Sequence, residues 1–208
     1  MITAYAVTAH PAPALPDHLR LRLVASDGLA AACGPAEASE PSADALWRHE
    51  EVVEALMADR DVVPLRYGTR FPDESSAAAA IAERREELSG ALARVRGAVE
   101  IAVRIATTDE PPDASEPDSA RDYLRAKARV AELRQEAARL VHDPLASRVR
   151  MSTQRPTARF PELLRCAYLV DRAAVQGFLD AAAERDSATA RFSVLCTGPW
   201  PPYSFVGS

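Results

Sequence analysis

The 208-residue sequence has few of the residues that build disulfide frameworks, metal clusters and membrane spans. Its three cysteines, Cys33, Cys166 and Cys196, lie far apart with no Cys-x-x-Cys spacing, so neither a disulfide framework nor a zinc site is indicated. No stretch approaches the roughly 18 consecutive apolar residues of a membrane-spanning helix. The N-terminus lacks the basic start and long apolar run of a secretion signal. We therefore expect a cytoplasmic protein with no membrane partner.

Sequence motifs of nucleotide binding, nucleophilic catalysis and metal binding are also missing. The eight glycines form neither G-x-G-x-x-G nor a P-loop, and no G-x-S-x-G is present. His49-Glu50 begins like a zinc-protease helix, but Val53 stands where the second histidine is required. We expect no metal, no cofactor and no enzyme activity. A reactive cluster assembled from distant residues, such as Glu50, Arg66 and Tyr67, stays open as an alternative.

Lysine is nearly absent, and charge is distributed unevenly along the chain. Lys127 is the only lysine, and the net charge is −5. Residues 1–118 carry a net charge of −10, whereas residues 119–172 carry +6. This asymmetry favours an acidic and a basic surface that dock partners or copies of the chain, with Arg125 and Arg129 as candidates; an arginine-rich solvated helix face is the alternative. The strand predicted at 163–170 has one aromatic residue and no glycine, so we expect no RNA-stacking platform and no nucleic-acid partner.

The length and a hydrophobic content of 48% favour two small α+β domains. Residues 1–96 read as a mixed α+β domain, in which Ser42 is a predicted N-cap and Gly97 a predicted helix end. The predicted elements are strands at 2–8, 19–25 and 29–33, a helix at 43–58, a broken strand at 62–71 and a helix at 76–96.

Residues 97–208 have the order β-α-β-β-α-β, which predicts a ferredoxin-like C-terminal domain. An acidic, proline-containing loop is expected at 107–119. Asp143-Pro144 is expected to end the long helix. The predicted elements are strands at 99–106, 147–153, 163–170 and 191–197, and helices at 120–142 and 172–185.

Two stretches, at 62–71 and 197–206, carry more aromatic and proline residues than folding requires. The second reads TGPWPPYSFV, a stiff arm bearing Trp200, Tyr203 and Phe205. The arm can clasp the folded body or contact a partner, and both functions are compatible. Arg66 and Tyr67 in the first stretch are candidates for the same two roles.

These residues resemble the gas vesicle protein GvpF/GvpL family. The most specific match is GPWPPYSF, at 198–205. Further matches are His49-Glu50 with the following VVEAL, the P-x-R-[FY]-G-T stretch at 64–69, the Tyr123-Leu124-x-x-Lys127 helix start, and Ala-Tyr-Leu-Val at 167–170 with Phe178. The chain departs from the family where Glu100 is followed by Ile101 and Ala102 instead of Trp and Gly.

The resemblance implies a non-enzymatic gas vesicle accessory protein, cytoplasmic and vesicle-associated. It implies a minor vesicle component that binds the small hydrophobic shell protein and assists nucleation and assembly of the vesicle, in a chaperone-like way. Other accessory proteins and further copies of this chain are the additional partners expected. The alternative from another class is a regulatory protein that senses a small molecule through its ferredoxin-like domain.

Overall fold

The structure is a computed structural model that describes residues 1–36, 42–110 and 119–207. These residues form two compact units: the first comprises residues 1–98 with the segment after Trp200, and the second spans Val99–Trp200. The division expected from the sequence placed the whole C-terminal arm in the second domain. In the structure, residues 201–207 group with the first unit, where Pro201, Pro202 and Phe205 are buried.

The first unit contains an antiparallel sheet and three helices. Its strands follow the order β2-β3-β1-β4, with β5 also paired to β1. The strands are β1 (Ile2–Ala9), β2 (Arg22–Ser26), β3 (Leu29–Pro35), β4 (Val63–Pro64) and β5 (Arg70–Phe71). The helices are α1 (Ala43–Met57), α2 (Glu74–Glu83) and α3 (Arg85–Val95).

Helices cover both faces of this first sheet. Seven successive residues of β1 are buried, whereas a strand with one solvated face would alternate. Ala31 and Cys33 of β3 pack with Ile81 of α2 and Leu88 of α3. On the other face, the ring of Tyr5 stacks on His49 of α1. As predicted, Ser42 caps α1, accepting a hydrogen bond from the Ala45 N–H at 3.1 Å.

The second unit contains a four-stranded sheet in the order β7-β8-β6-β9, so β6 and β8 are central. The strands are β6 (Ala98–Thr107), β7 (Met151–Pro156), β8 (Glu162–Asp171) and β9 (Phe192–Trp200). The helices are α4 (Ala120–Ala137), α5 (Asp143–Ala146) and α6 (Val175–Ala188). Leu133 and Phe178, from α4 and α6, pack against Ile101 and Ile105 of β6. None of the helices in the described ranges is both long and apolar enough to cross a bilayer.

Several element boundaries differ from those expected. The helix expected at 76–96 is divided at Arg84, which leaves helical geometry (φ −101°, ψ 19°). The helix expected at 120–142 passes through a π-helical turn at 138–142 into α5, because Pro144 occupies the first turn, where its missing N–H costs little.

The strand expected at 19–25 starts at Arg22, since Asp17–Leu19 forms a 3-10 turn and Arg20 is left-handed (φ 51°). The strand expected at 147–153 starts at Met151, and α6 follows a 3-10 turn and begins at Val175. Most of the loop expected at 107–119 lies outside the described residues.

Candidate functional site

The segment after Trp200 is held against the first unit by burial and by two hydrogen bonds. Phe205 is buried, with 3% of the residue exposed. Its carbonyl oxygen accepts a hydrogen bond from Arg94 Nη1 of α3 at 2.8 Å, and the Tyr203 hydroxyl donates to Glu50 Oε1 of α1 at 3.1 Å. Burial, followed by the nearby Glu50 charge, raises the pKa of Tyr203 well above its usual value. These contacts join Tyr203 to α1 and the backbone of Phe205 to α3.

His49 and Glu50 contact two different parts of the first unit. His49 is fully buried, and its Nε2 donates to the Leu65 carbonyl at 2.9 Å. Its ring stacks on Tyr5 (5.2 Å between centroids) and meets the edge of Tyr67 (5.7 Å). His49 therefore holds α1 to the sheet, while Glu50, the next residue of the helix, accepts the hydrogen bond from the Tyr203 hydroxyl.

The stretch containing Arg66 and Tyr67 is a tight turn between β4 and β5. The Arg66 carbonyl accepts the Thr69 N–H at 3.1 Å and the Thr69 hydroxyl at 2.7 Å. Gly68 has φ 83°, a conformation that favours glycine. The Arg66 side chain points to solvent, whereas Tyr67 is half-buried. Within the described part of the chain, no hydrogen bond joins the side chains of Glu50, Arg66 and Tyr67.

Glycine and tryptophan in the GPW sequence shape the end of β9. Gly198 has φ 120°, and a Cβ atom there would lie 2.9 Å from the carbonyl oxygen of Glu100 in β6. The pairing of β6 with β9 shifts register at this point, and Trp200 pairs with Glu100. The Trp200 indole N–H donates to Thr197 Oγ1 at 3.2 Å. The glycine thus permits a bulge that brings the indole beside Thr197.

An apolar strip is exposed along β9, and we call Leu195, Thr197 and Trp200 the β9 strip. Val194 and Cys196 pack toward the core of the second unit, so strand alternation directs Leu195 to the other face. Leu195 is 58% exposed and Trp200 38%. β9 is an edge strand of its sheet. Two of its backbone N–H groups donate hydrogen bonds to residues outside the sheet: the Val194 N–H to Asp186 Oδ1 at 2.7 Å, and the Phe192 N–H to the Thr189 carbonyl at 3.0 Å. These bonds hinder a partner strand from extending the sheet, and they leave the side chains of the strip available.

Arg125 and Arg129 lie on the exposed N-terminal part of α4, and both are paired with acids. Arg125 contacts Asp122 at 3.3 Å. Arg129 contacts Asp109 at 3.3 Å, and Asp109 also accepts from Arg191 at 2.8 Å. Hydrogen bonding from Arg191 holds the pKa of Asp109 below its usual value. Such exposed pairs contribute little to stability, so a competing acidic partner would displace them at low cost.

An open cavity of about 780 Å³ lies in the first unit beside α1. Its lining includes His18, Arg20 and Arg48 together with Asp44 and Glu51. Because both signs of charge are present, the lining favours neither anions nor cations.

Comparison with known proteins identifies the family. The model of the family described as gas vesicle synthesis protein GvpL/GvpF matches residues 2–207. This chain belongs to the GvpL/GvpF family. It therefore has a gas vesicle-related role, in a family of structural and accessory proteins that is not known as enzymatic, and it associates with other gas vesicle proteins.

Two relatives agree with this assignment in sequence, and two solved structures share the fold. Gas vesicle protein L of a Streptomyces species is 32% identical over 187 residues, covering 79% of this chain and 70% of that protein. Gas vesicle protein F2 of Halobacterium salinarum is 27% identical over 192 residues, covering 90% and 80%. The crystal structure of GvpF from Microcystis aeruginosa has a TM-score of 0.83 at 18% identity, covering 100% of this chain and 99% of that one. GvpF from an Anabaena species also has a TM-score of 0.83, at 15% identity, with coverages of 100% and 96%.

The structure divides the seven residues singled out from the sequence between the two units. Arg66, Tyr67, Tyr203 and Phe205 lie in the first unit; Arg125, Arg129 and Trp200 lie in the second. Sequence reasoning missed Arg94 and Leu195. Arg94 had no distinguishing sequence signal, but the alternation in RFSVLCT placed Leu195 opposite Val194 and Cys196, and this pattern could have identified the strip.

Proposed function

We propose that this GvpL/GvpF family member is a non-enzymatic, cytoplasmic assembly factor of gas vesicles. In this proposal it binds the small hydrophobic shell protein, assists nucleation of the vesicle in a chaperone-like way, and remains as a minor vesicle component. The second unit acts as a ferredoxin-like module, and the chain is organised as an N-terminal and a C-terminal domain.

The observation that carries the proposal is the exposure of the β9 strip. A shell subunit with an apolar face aggregates unless a carrier covers that face. Leu195 and Trp200 offer apolar area on a rigid strand, and Thr197 holds the indole by its hydrogen bond. Aromatic side chains held in this way are typical anchors of protein interfaces.

Charge and burial separate the roles of the other candidates. Tyr203 and Phe205 are occupied by contacts within the first unit and so support folding. The Arg66 side chain is exposed beside the half-buried Tyr67, and we assign this pair a secondary partner contact. Arg125 and Arg129 would steer an acidic partner toward α4 without forming its apolar contact.

Co-expression of the chain with the shell protein tests the proposal. We expect the wild-type chain to keep the shell protein soluble in a complex that survives size exclusion, whereas the shell protein alone precipitates. Leu195→Asp should reduce the captured shell protein at least about tenfold, the effect of losing roughly 1.4 kcal/mol of binding.

Leu124→Asp is the matched control, because Leu124 is a leucine of similar exposure on α4. This variant should capture the shell protein as well as the wild type does. Capture lost in Leu124→Asp but kept in Leu195→Asp would move the contact from β9 to α4. A folded, monodisperse wild-type chain that captures no shell protein would contradict the carrier function itself.

A further inference from the structure

The outer side of α1 carries a tryptophan surrounded by acids. Trp47 is 67% exposed, although its helix buries His49, Val53 and Leu56 on the opposite side. In a helix, the residue three positions before Trp47 and the residues three, four and seven positions after it lie on the same side as Trp47. All four are acidic, and together with Trp47 they form what we call the Trp47 face: Asp44, Glu50, Glu51 and Glu54.

The acids of this face lie close enough to affect one another. Burial, followed by the charges of Glu50 and Glu51, raises the pKa of Glu54 above its usual value. A basic partner would relieve this repulsion. The large indole at the centre of the acids supplies apolar contact, so the face suits a partner that is both apolar and basic.

The N-terminal part of α4 has these two properties. None of residues 120–132 is buried, and Leu124 is 63% exposed. Leu124 has alanines on its own side of the helix, four positions before it and four and seven positions after it. Basic side chains lie beside these alanines. These residues form what we call the Leu124 face: Ala120, Arg121, Leu124, Lys127, Ala128 and Ala131.

The two faces complement one another in charge, and each has an exposed apolar side chain at its centre, Trp47 on one and Leu124 on the other. Lys127 lies over the ring of Tyr123, 4.7 Å from its centroid, which positions positive charge at the margin of the Leu124 face. Among the acids around Trp47, Glu50 already accepts the Tyr203 hydroxyl, and the exposed Asp44 and Glu51 match the cations around Leu124. Trp47 and Leu124 are both largely exposed, so each face is available to a second molecule.

We propose that two copies of this chain associate head to tail, with the Trp47 face of one copy docked on the Leu124 face of the next. The two faces are different patches of the surface, so the contact is heterologous. Such a contact leaves one free face at each end and permits further copies to add. This inference is independent of the β9 strip and of shell-protein capture.

Complementary variants test the proposal by sedimentation velocity across a wide range of concentration. We expect the wild-type mass to rise with concentration beyond that of a dimer. Trp47→Ala and Leu124→Asp should each raise the dissociation constant at least about tenfold, as loss of an interface anchor does. Each variant alone should then sediment as a monomer, while a mixture of the two should form a one-to-one dimer and grow no further, because each supplies the face that the other lacks.

Met151→Asp serves as the control, since Met151 is an exposed apolar residue of β7 that belongs to neither face, and this variant should associate as the wild type does. A wild-type monomer at every concentration would overturn the proposal. So would a mixture that stays monomeric while the wild type associates, because the pairing would then not join these two faces. If the wild type stays monomeric and Trp47→Ala abolishes shell-protein capture, the Trp47 face binds the shell protein and self-association is wrong.

Discussion

Replacing Phe205 with alanine tests whether the C-terminal turn stabilises the first unit. The backbone contacts of this turn do not need the ring: the Phe205 N–H donates to the Pro202 carbonyl at 3.1 Å, and its own carbonyl accepts from Arg94. The substitution therefore removes a buried ring and leaves a cavity. Loss of a buried phenylalanine lowers the free energy of unfolding by about 3–5 kcal/mol.

Calorimetry and hydrogen exchange measure this effect and locate it. For a chain of this size, a loss of 3 kcal/mol corresponds to a fall in melting temperature of about 6–12 °C. Exchange should rise in α3, which holds Arg94, and remain slow in β8 of the second unit. Trp200→Ala is the control, because its ring is partly exposed and its loss should cost only about 1 kcal/mol.

An unchanged melting temperature would refute the reasoning that makes Phe205 a clasp. Unchanged exchange in α3 would have the same meaning. If Phe205→Ala kept full stability and lost partner capture, the turn would be a binding element whose ring leaves its buried position.

Three further substitutions test individual contacts. Gly198→Ala should lower the free energy of unfolding by about 2 kcal/mol, because an alanine is strained at φ 120°. Gly177→Ala is the control: this glycine lies within α6, and no atom is within 4 Å of the new Cβ, so the variant should be more stable by about 0.5–1 kcal/mol. Denaturant titrations measure both effects. Tyr203→Phe should cost about 1 kcal/mol, and the cost should largely vanish in a Glu50→Ala background. Burial lowers the pKa of His142 below its usual value of about 6.5. The neutral histidine therefore contributes fully to stability above about pH 6.5, and this contribution declines as the pH falls toward the folded-state pKa. In His142→Gln, denaturant midpoints should decline less steeply over the same pH range.

Each of these expectations has a contradicting result. Equal effects of the two glycine substitutions would show that φ at Gly198 does not matter. A Tyr203→Phe cost that is the same with and without Glu50 would exclude their hydrogen bond as its source. A His142→Gln variant that keeps the full acid dependence would assign that dependence to other groups.

Local periodicity predicted most helices and strands, because side-chain alternation and helical stripes are properties of short segments. The strand with Ile101, Val103 and Ile105 on one face is an example. Boundaries failed where the backbone departs from regular geometry for local reasons. Arg84 interrupts one helix, and the π-helical turn before Pro144 lets another continue past the residue expected to end it.

The contacts of the C-terminal segment could not be predicted from the sequence. The Glu50–Tyr203 hydrogen bond joins residues 153 positions apart, and the hydrogen bond from Arg94 to the Phe205 carbonyl joins residues 111 positions apart. Such pairings depend on how the elements pack, which local patterns do not specify. The sequence identified the tyrosine and phenylalanine as unusual, and the resemblance to the GvpF/GvpL family identified the kind of protein. Only the structure distinguished the buried Phe205 from the exposed Trp200.

Capture of the shell protein by the wild-type chain and by Leu195→Asp is the measurement that tests the central claim most directly. The two chains should be equally folded, because Leu195 is an exposed side chain on an outer strand. We predict a soluble complex with the wild type and at least about a tenfold loss of captured shell protein with Leu195→Asp. Equal capture by both chains would contradict the assignment of the β9 strip, and no capture by either would contradict the carrier function.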